Sequence, residues 1–215
     1  KRIECTIDFV SPYAYLAFEE LPRALQGLSY EVRYQPVLFA ALLNAHGQRG
    51  PAEIAPKRDW IYRHALWQAE VLGIPLQMPA AHPFNPLALL RLAWACARQG
   101  SPNRYVCETV FRHVWRAEGA AADTAQLAPA RDPASAEVKL ALKQATDAAQ
   151  AAGVFGVPTF AVDGRQFWGL DALPMLRAHL EGDARVDAVW QRAASVAQGV
   201  RRPIQAASDA SGPVG

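Results

Sequence analysis

Apolar and polar residues alternate at the start of the chain. Ile3, Cys5, Ile7 and Phe9 fall on one side, and Glu4, Thr6 and Asp8 on the other. A period of two predicts a strand over residues 3–10. Ser11 and Pro12 follow at once. Serine is a favoured helix N-cap, and proline suits the first helical position because its missing N–H would have no intrahelical partner. A helix is predicted over residues 12–26, closed by Gly27. The β-branched and aromatic run YEVRYQPV, Tyr30 to Val37, predicts a second strand ended by Pro36. A strand–helix–strand opening implies a parallel pair with a right-handed crossover.

From about residue 38 to 152 the pattern is helical. Ile61, Ala65, Ala69 and Leu72 share one helical face, and Trp60, His64, Trp67 and Val71 form the adjoining stripe. So wide an apolar surface predicts a helix that is largely buried or lines a cavity, stopped by Gly73 and Pro75. Four prolines in Pro75–Pro86, PLQMPAAHPFNP, make that connection rigid and non-helical. Helices are then predicted over 87–98, 103–118 and 135–152, where frequent alanine adds intrinsic propensity.

After Gly153 short strands return. Thr159 to Val162 and Arg165 to Trp168 flank Asp163-Gly164, a strong hairpin turn. A helix is predicted from Asp171, itself a good N-cap, and a last one over 183–198. The Ser-, Ala-, Gly- and Pro-rich tail, residues 199–215, is expected to be disordered. The β–α–β opening and the closing β–β–α piece complement each other as one four-stranded α/β unit, residues 1–38 with 153–198. Residues 39–152 would be a helical insertion into it.

Composition narrows the function classes. Of 215 residues 51% are hydrophobic and 20% charged, so the chain can bury a core. A net charge of +2 gives no concentrated basic face and argues against nucleic acid. No apolar run approaches the roughly 20 residues of a membrane span. Charge and polarity recur at the N-terminus, which is therefore read as no signal peptide, and the start at Lys1 as a trimmed initiator. Cys5, Cys96 and Cys107 form no C-x-x-C and no zinc spacing, and the five histidines show no ligand spacing, so no metal site is expected. Nothing exploits an oxidising compartment, and a cytoplasmic location is expected.

Several residues have two readings. Ser11 is a helix cap, or it stabilises an anion such as a thiolate beside unpaired backbone N–H groups and the positive dipole end. SPYA, Ser11 to Ala14, contains no sulfur, so a ligand would have to bring the thiolate. Pro158, in GVFGVPTF, enters a strand. With a trans bond it is a plain strand entry; with a cis bond it leaves the backbone of Val157 free to pair with an extended peptide. From the residues alone Asp171 is an N-cap and Lys57 a solvated lysine at a helix start. His82, Phe84 and Asn85 either pack their loop or line a pocket. Tyr13, Trp60 and Trp67 are core residues or an aromatic wall. Asp8 is expected to be buried near Ser11 in a structural hydrogen bond.

A strand ending in Ser-Pro-Tyr-Ala-Tyr, GVFGVPTF, and then Phe167-Trp168-Gly169-Leu170-Asp171, in this order, resemble the 2-hydroxychromene-2-carboxylate isomerases. These are relatives of the kappa-class glutathione transferases. Gly73-Ile74-Pro75-Leu76, His82 to Pro86, and Trp115 with Glu118-Gly119 extend the likeness over residues 3–195. The resemblance implies a DsbA-like thioredoxin fold with a large helical insertion, and glutathione as cofactor. Ser11 would favour the glutathione thiolate. Val157, beside Pro158, would pair with the cysteinyl part. Trp168, Gly169, Leu170 and Asp171 would hold the γ-glutamyl end. Lys57 would approach a carboxylate of glutathione or substrate. Gln48 stands where many members carry asparagine, and Leu170 and Ala172 replace polar residues of the usual W-G-N-D-R.

The activity so implied is glutathione-dependent isomerisation of an aromatic, unsaturated 2-oxo acid. It would interconvert 2-hydroxychromene-2-carboxylate and trans-o-hydroxybenzylidenepyruvate in the breakdown of naphthalene-like aromatics. Lys57 and Asn85 are expected to hold the substrate carboxylate and steady the enolate. A homodimer is expected, with no nucleic-acid or membrane partner. The alternatives are a kappa-like glutathione transferase and a non-catalytic thioredoxin-fold binding protein.

Overall fold

Asp8 decides where the first strand ends. Its side chain accepts the Val10 N–H at 3.1 Å, and its backbone carbonyl accepts the Ser11 N–H at 3.4 Å. An aspartate bonded to the backbone two residues on forms a turn and competes with the ladder. The strand predicted over 3–10 is therefore β1 (Arg2–Ile7), and Phe9 and Val10 belong to the turn that delivers Ser11. In the computed structural model, residues 1–98, 100–116 and 124–200 are described.

β1 is followed by α1 (Pro12–Ala24), β2 (Glu31–Pro36) and α2 (Phe39–Ala45). Helices α3 (Ala55–Leu72), α4 (Leu87–Cys96), α5 (Arg104–Trp115) and α6 (Ala136–Ala151) come next. β3 (Thr159–Val162), β4 (Arg165–Trp168) and α7 (Leu173–Leu180) complete the compact unit Lys1–Gly182. Asp183–Gly215 forms a second unit, in which α8 (Ala184–Ala194) is capped by the Asp183 side chain and is shorter than predicted. Residues 117 and 118 of the helix predicted over 103–118, Glu118-Gly119 of the resemblance, and the tail from residue 201 lie outside the described residues.

The sheet order is β2-β1-β3-β4. β1 runs parallel to β2, with Cys5 opposite Tyr34, and antiparallel to β3, with Cys5 opposite Phe160. The β3–β4 hairpin turns through Asp163 and Gly164 at φ 51° and 75°, the two positive φ values that a tight two-residue hairpin demands. On one side of the sheet an aromatic cluster joins α1 to α5. Phe111 packs on Phe9 and Phe18 at 4.9 and 5.1 Å between ring centroids. Elsewhere Val37, Leu42, Ala149, Val154 and Val157 pack together, joining the end of β2, α2, α6 and the approach to β3.

The proline-rich connection, residues 75–86, is non-helical as predicted, and it is tied down. Tyr15 Oη donates to the Pro75 carbonyl at 2.6 Å, and the Gln77 N–H to Trp115 O at 2.8 Å. His82 Nε2 lies 2.7 Å from the Val10 carbonyl, so it donates there, and its Nδ1 lies 2.9 Å from Tyr62 Oη. The loop is thereby fixed to the turn before Ser11.

Helix α3 departs from expectation. Only Ala65 and Ala69 are buried, whereas Trp60, Trp67 and Val71 are more than half exposed. Periodicity reports an apolar stripe without saying whether the protein supplies a partner for it. The start of the helix after β4 also differs. Leu170–Ala172 is a 3-10 turn entered by Gly169 at φ 101°, and Asp171 lies inside that turn without capping α7.

Candidate functional site

The site is assembled where α1, the turn before β3 and the end of β4 meet. Ser11 is nine-tenths buried, in extended backbone geometry, and its Oγ accepts the Ala14 N–H at 3.2 Å. A hydroxyl has one proton and two acceptor positions. Capping uses one acceptor and leaves the O–H free to donate. Beside it lies the first turn of α1, where Pro12 has no N–H and the Ala14 and Tyr15 N–H groups are taken by Ser11, so that the Tyr13 N–H and the positive end of the helix dipole are what favours negative charge there.

Val157 lies two residues before the ladder begins at Thr159, with a cis bond to Pro158. The segment is held by Thr159 Oγ1 donating to Gly156 O at 2.8 Å and by the Gly169 N–H donating to Pro158 O at 2.9 Å. Gly156 makes room for Trp168, since a Cβ there would strike the indole nitrogen. Phe155 meets Trp168 edge-on at 4.9 Å.

Two adjoining chambers open here. One, of about 530 Å³, is lined by Ser11, Gln48, His82, Phe84, Phe155 and Trp168 among others. The second, of about 720 Å³, takes in Val157, Pro158, Trp168, Gly169, Leu170 and Asp171. Tyr13, Val157 and Trp168 line both. Of the twelve residues given a cofactor or substrate role from sequence, the fold thus brings ten together. It leaves two aside: Lys57 is exposed on the first turn of α3, and Asn85 is exposed with its Oδ1 accepting the Leu87 N–H at 3.0 Å, each outside both linings. Trp60 and Trp67, expected as candidates for an aromatic wall, lie outside both linings; Phe84 and the exposed rings of Phe155 and Trp168 supply that surface. A separate cavity of about 600 Å³, lined by Cys96, Arg98 and Asn103, contains none of these groups.

Three residues escaped the sequence reading of the site. His64 and Gln68, on the inner shoulder of α3, and Arg177, on α7, line the second chamber. Arg177 also donates to the Ala24 and Gln26 carbonyls at 2.9 and 3.0 Å, binding α7 to the end of α1. No motif marks any of them, because each depends on how helices distant in sequence pack.

Burial disfavours a thiolate on the protein's own cysteines. Burial pushes the thiols of Cys5 and Cys107 far up, and that of half-buried Cys96 up as well. Asp8 is fully buried beneath the first chamber. Burial lifts its carboxyl to about 7, against the pull of the Phe39, Val10 and Phe9 N–H groups. Phe39 N donates to Asp8 Oδ2 at 2.8 Å, so this one side chain joins the Ser11 turn to the start of α2. Burial lowers the pKa of His82, whose backbone bond to Val10 opposes the change. Among the described residues no group of three or more His, Cys, Asp or Glu could hold a metal, and no helix is long and apolar enough to cross a membrane.

Comparison with known proteins gives the family and the fold. A family model described as DSBA-like thioredoxin domain matches residues 2–181. A 2-hydroxychromene-2-carboxylate isomerase of Pseudomonas sp. (strain C18) is 31% identical over 208 residues, covering 84% of this chain and 93% of its own length. Glutathione S-transferase kappa 1 of Rattus norvegicus is 26% identical over 206 residues, with 84% and 91% covered. A solved 2-hydroxychromene-2-carboxylate isomerase superposes with a TM-score of 0.71 at 24% identity, covering 88% of this chain and 99% of that one, a likeness of fold.

Proposed function

Since the chain belongs to the DSBA-like thioredoxin domain family, among the 2-hydroxychromene-2-carboxylate isomerases, we propose that it is a glutathione-dependent isomerase of an aromatic, unsaturated 2-oxo acid. The substrate class by likeness is 2-hydroxychromene-2-carboxylate and its open form, trans-o-hydroxybenzylidenepyruvate. One observation carries the reading. Ser11 presents a free O–H at a helix start inside a cleft, while the protein's own thiols are held protonated or lie elsewhere.

The residues fit glutathione. Two chambers of a few hundred Å³ each suit a tripeptide and a small aromatic acid. Ser11 and the first turn of α1 would face the sulfur and keep it ionised. Val157, just outside the ladder, would pair with the tripeptide backbone as an added strand. Asp171, free of a capping role, would face the ammonium, and the Gln48 amide would serve the peptide. When bound, glutathione supplies a thiolate that adds reversibly to a conjugated carbon, so that the former double bond turns as a single bond before the sulfur leaves. The chain's part is to exclude water with Phe84, Phe155 and Trp168 and to hold substrate and sulfur in line. A cytoplasmic homodimer is part of the proposal.

The test uses the purified protein, 2-hydroxychromene-2-carboxylate and glutathione far below the substrate concentration. Conversion to the open acid is followed by absorbance, with free thiol titrated alongside. The proposal expects conversion to run to equilibrium with thiol undiminished. One thiol lost per turnover assigns the chain to transferase chemistry, to which its kappa-class relatives give weight. No conversion and no glutathione-induced rise in Tm overturns the reading.

A further inference from the structure

Opening a double bond conjugated to a carbonyl drives negative charge onto the carbonyl oxygen. The two residues expected from sequence to meet it, Lys57 and Asn85, lie outside both chambers. The junction between the chambers holds another donor. Tyr13, in the first turn of α1, lines both. Its Oη lies 2.8 Å from His64 Nδ1 on α3. His64 Nε2 lies 3.3 Å from Gln68 Nε2, one helical turn further on. Trp60, one turn earlier, stacks flat on the imidazole, 5.8 Å between centroids at 13°. The ring is therefore held on its face and at both nitrogens.

This chain of contacts has a direction. A glutamine amide nitrogen can only donate, so His64 Nε2 accepts, and the ring's proton sits on Nδ1. Nδ1–H then donates to Tyr13 Oη, and the phenol's own proton is left to point away from His64. Burial, and then the charge of Asp171, raise the Tyr13 pKa, so the phenol keeps that proton at neutral pH.

We propose that Tyr13 is a catalytic residue of the isomerisation, its hydroxyl donating a hydrogen bond to the substrate oxygen that becomes negative while the double bond is open. His64 and Gln68 are positioning residues that turn this hydroxyl toward the cleft. The inference rests on the isomerase reading above. In the double-bond step, after the closed acid has opened with its hemiketal proton passing to the phenol oxygen, no proton is transferred. The electron pair of the opened double bond comes to rest on the carbonyl oxygen, is hydrogen-bonded there, and returns to the carbon chain as the double bond re-forms. Nothing is oxidised or reduced. A preorganised donor of this kind, on removal, costs a factor on the order of 10²–10³ in kcat.

The first measurement needs no glutathione. Nitrogen NMR of histidine-labelled protein should show His64 as the Nδ1–H tautomer, with that preference lost in Gln68→Leu. The second is steady-state kinetics. Tyr13→Phe should lower kcat on the order of 10²-fold with KM nearly unchanged. His64→Leu should fall toward the same level, and His64→Asn, whose amide nitrogen stands near the place of Nδ1, should recover most of it. The double variant Tyr13→Phe/His64→Leu should be no worse than Tyr13→Phe alone, as for residues acting through one group. Glutathione-induced Tm rises equal to wild type in all of these separate the role from a folding defect. An Nε2–H tautomer, or a Tyr13→Phe enzyme with wild-type kcat, overturns this inference and leaves the isomerase reading standing. A wild-type protein that neither binds glutathione nor isomerises overturns both.

Discussion

Raising the pH from about 4 to about 8 titrates Asp8 inside the fold, and stability should fall as it does. Its carboxyl stands at about 7, against 3.8 for an aspartate in water, because burial penalises the charge more than the backbone N–H groups favour it. Between those values the folded chain holds a proton that the unfolded chain has released. The contribution is therefore complete below about pH 4, declines by up to ~1.4 kcal/mol per pH unit, and is gone above about pH 7. The full displacement is worth at most ~4 kcal/mol, a large share of the roughly 5–15 kcal/mol that holds an ordinary domain together. His82 has the opposite sign. Its pKa is held down by burial, so stability falls as the pH drops below its ordinary 6.5. Measuring urea unfolding of wild type and Asp8→Asn at each pH, and taking the difference, cancels His82 and the surface carboxylates. The asparagine keeps one acceptor but meets the other N–H, of Val10 or Phe39, donor to donor, a constant offset of ~1–3 kcal/mol. The difference should shift in favour of the variant by several kcal/mol as the pH rises through the window. A flat difference would refute the account of Asp8 as a buried carboxyl that ionises at a cost.

Three further outcomes follow from single contacts. Ser11→Ala should lose ~1 kcal/mol of stability with its cap and on the order of 10²-fold in turnover, and the ultraviolet absorbance of bound thiolate should shrink; wild-type turnover would remove Ser11 from the chemistry. Gly156→Ala places a Cβ against the Trp168 indole, so glutathione should bind about tenfold more weakly, ~1.4 kcal/mol by calorimetry, with the fold retained. Arg131 donates to the Trp94 and Ala97 carbonyls at 2.8 Å each and pairs with Glu137, closing the end of α4 onto the start of α6. Arg131→Met should cost ~2 kcal/mol and lower Tm by roughly 4–8 °C in a thermal melt.

Local signals were legible wherever local physics decides. Asp163-Gly164 fixed both strands of the hairpin to the residue, and Ser11-Pro12 fixed the start of α1, because turn and cap geometry depend on a few neighbouring side chains. The ends of elements were less legible. Nothing in the alternation of residues 3–10 shows that Asp8 will turn its side chain onto the Val10 N–H and stop β1 at Ile7. The parallel pairing of β1 with β2 followed from the β–α–β opening, yet the pairing of β1 with β3 depends on a contact more than 150 residues apart in sequence.

The division within the site has the same cause. Ser11, Val157, Trp168 and Asp171 sit in the short motifs that carry the family resemblance, and that resemblance is what singled them out together. Lys57 came from the resemblance and Asn85 from its place in the proline-rich loop, and the packing leaves both exposed. His64 is the converse case. On a helical wheel it belongs to the stripe of Trp60, Trp67 and Val71, which points at solvent, and that stripe suggests surface or core but no chemistry. Its ring nonetheless reaches over the shoulder of α3 to Tyr13, because Trp60 stacks on one face and Gln68 holds the far nitrogen. Both partners of that ring on α3 are spaced four residues away, as any helix would place them; the third, Tyr13, is 51 residues away. A hydrogen bond whose direction is set by one helix and used by another exists only once α1 and α3 are packed, and for that reason the oxygen-facing donor of this cleft is a property of the tertiary structure.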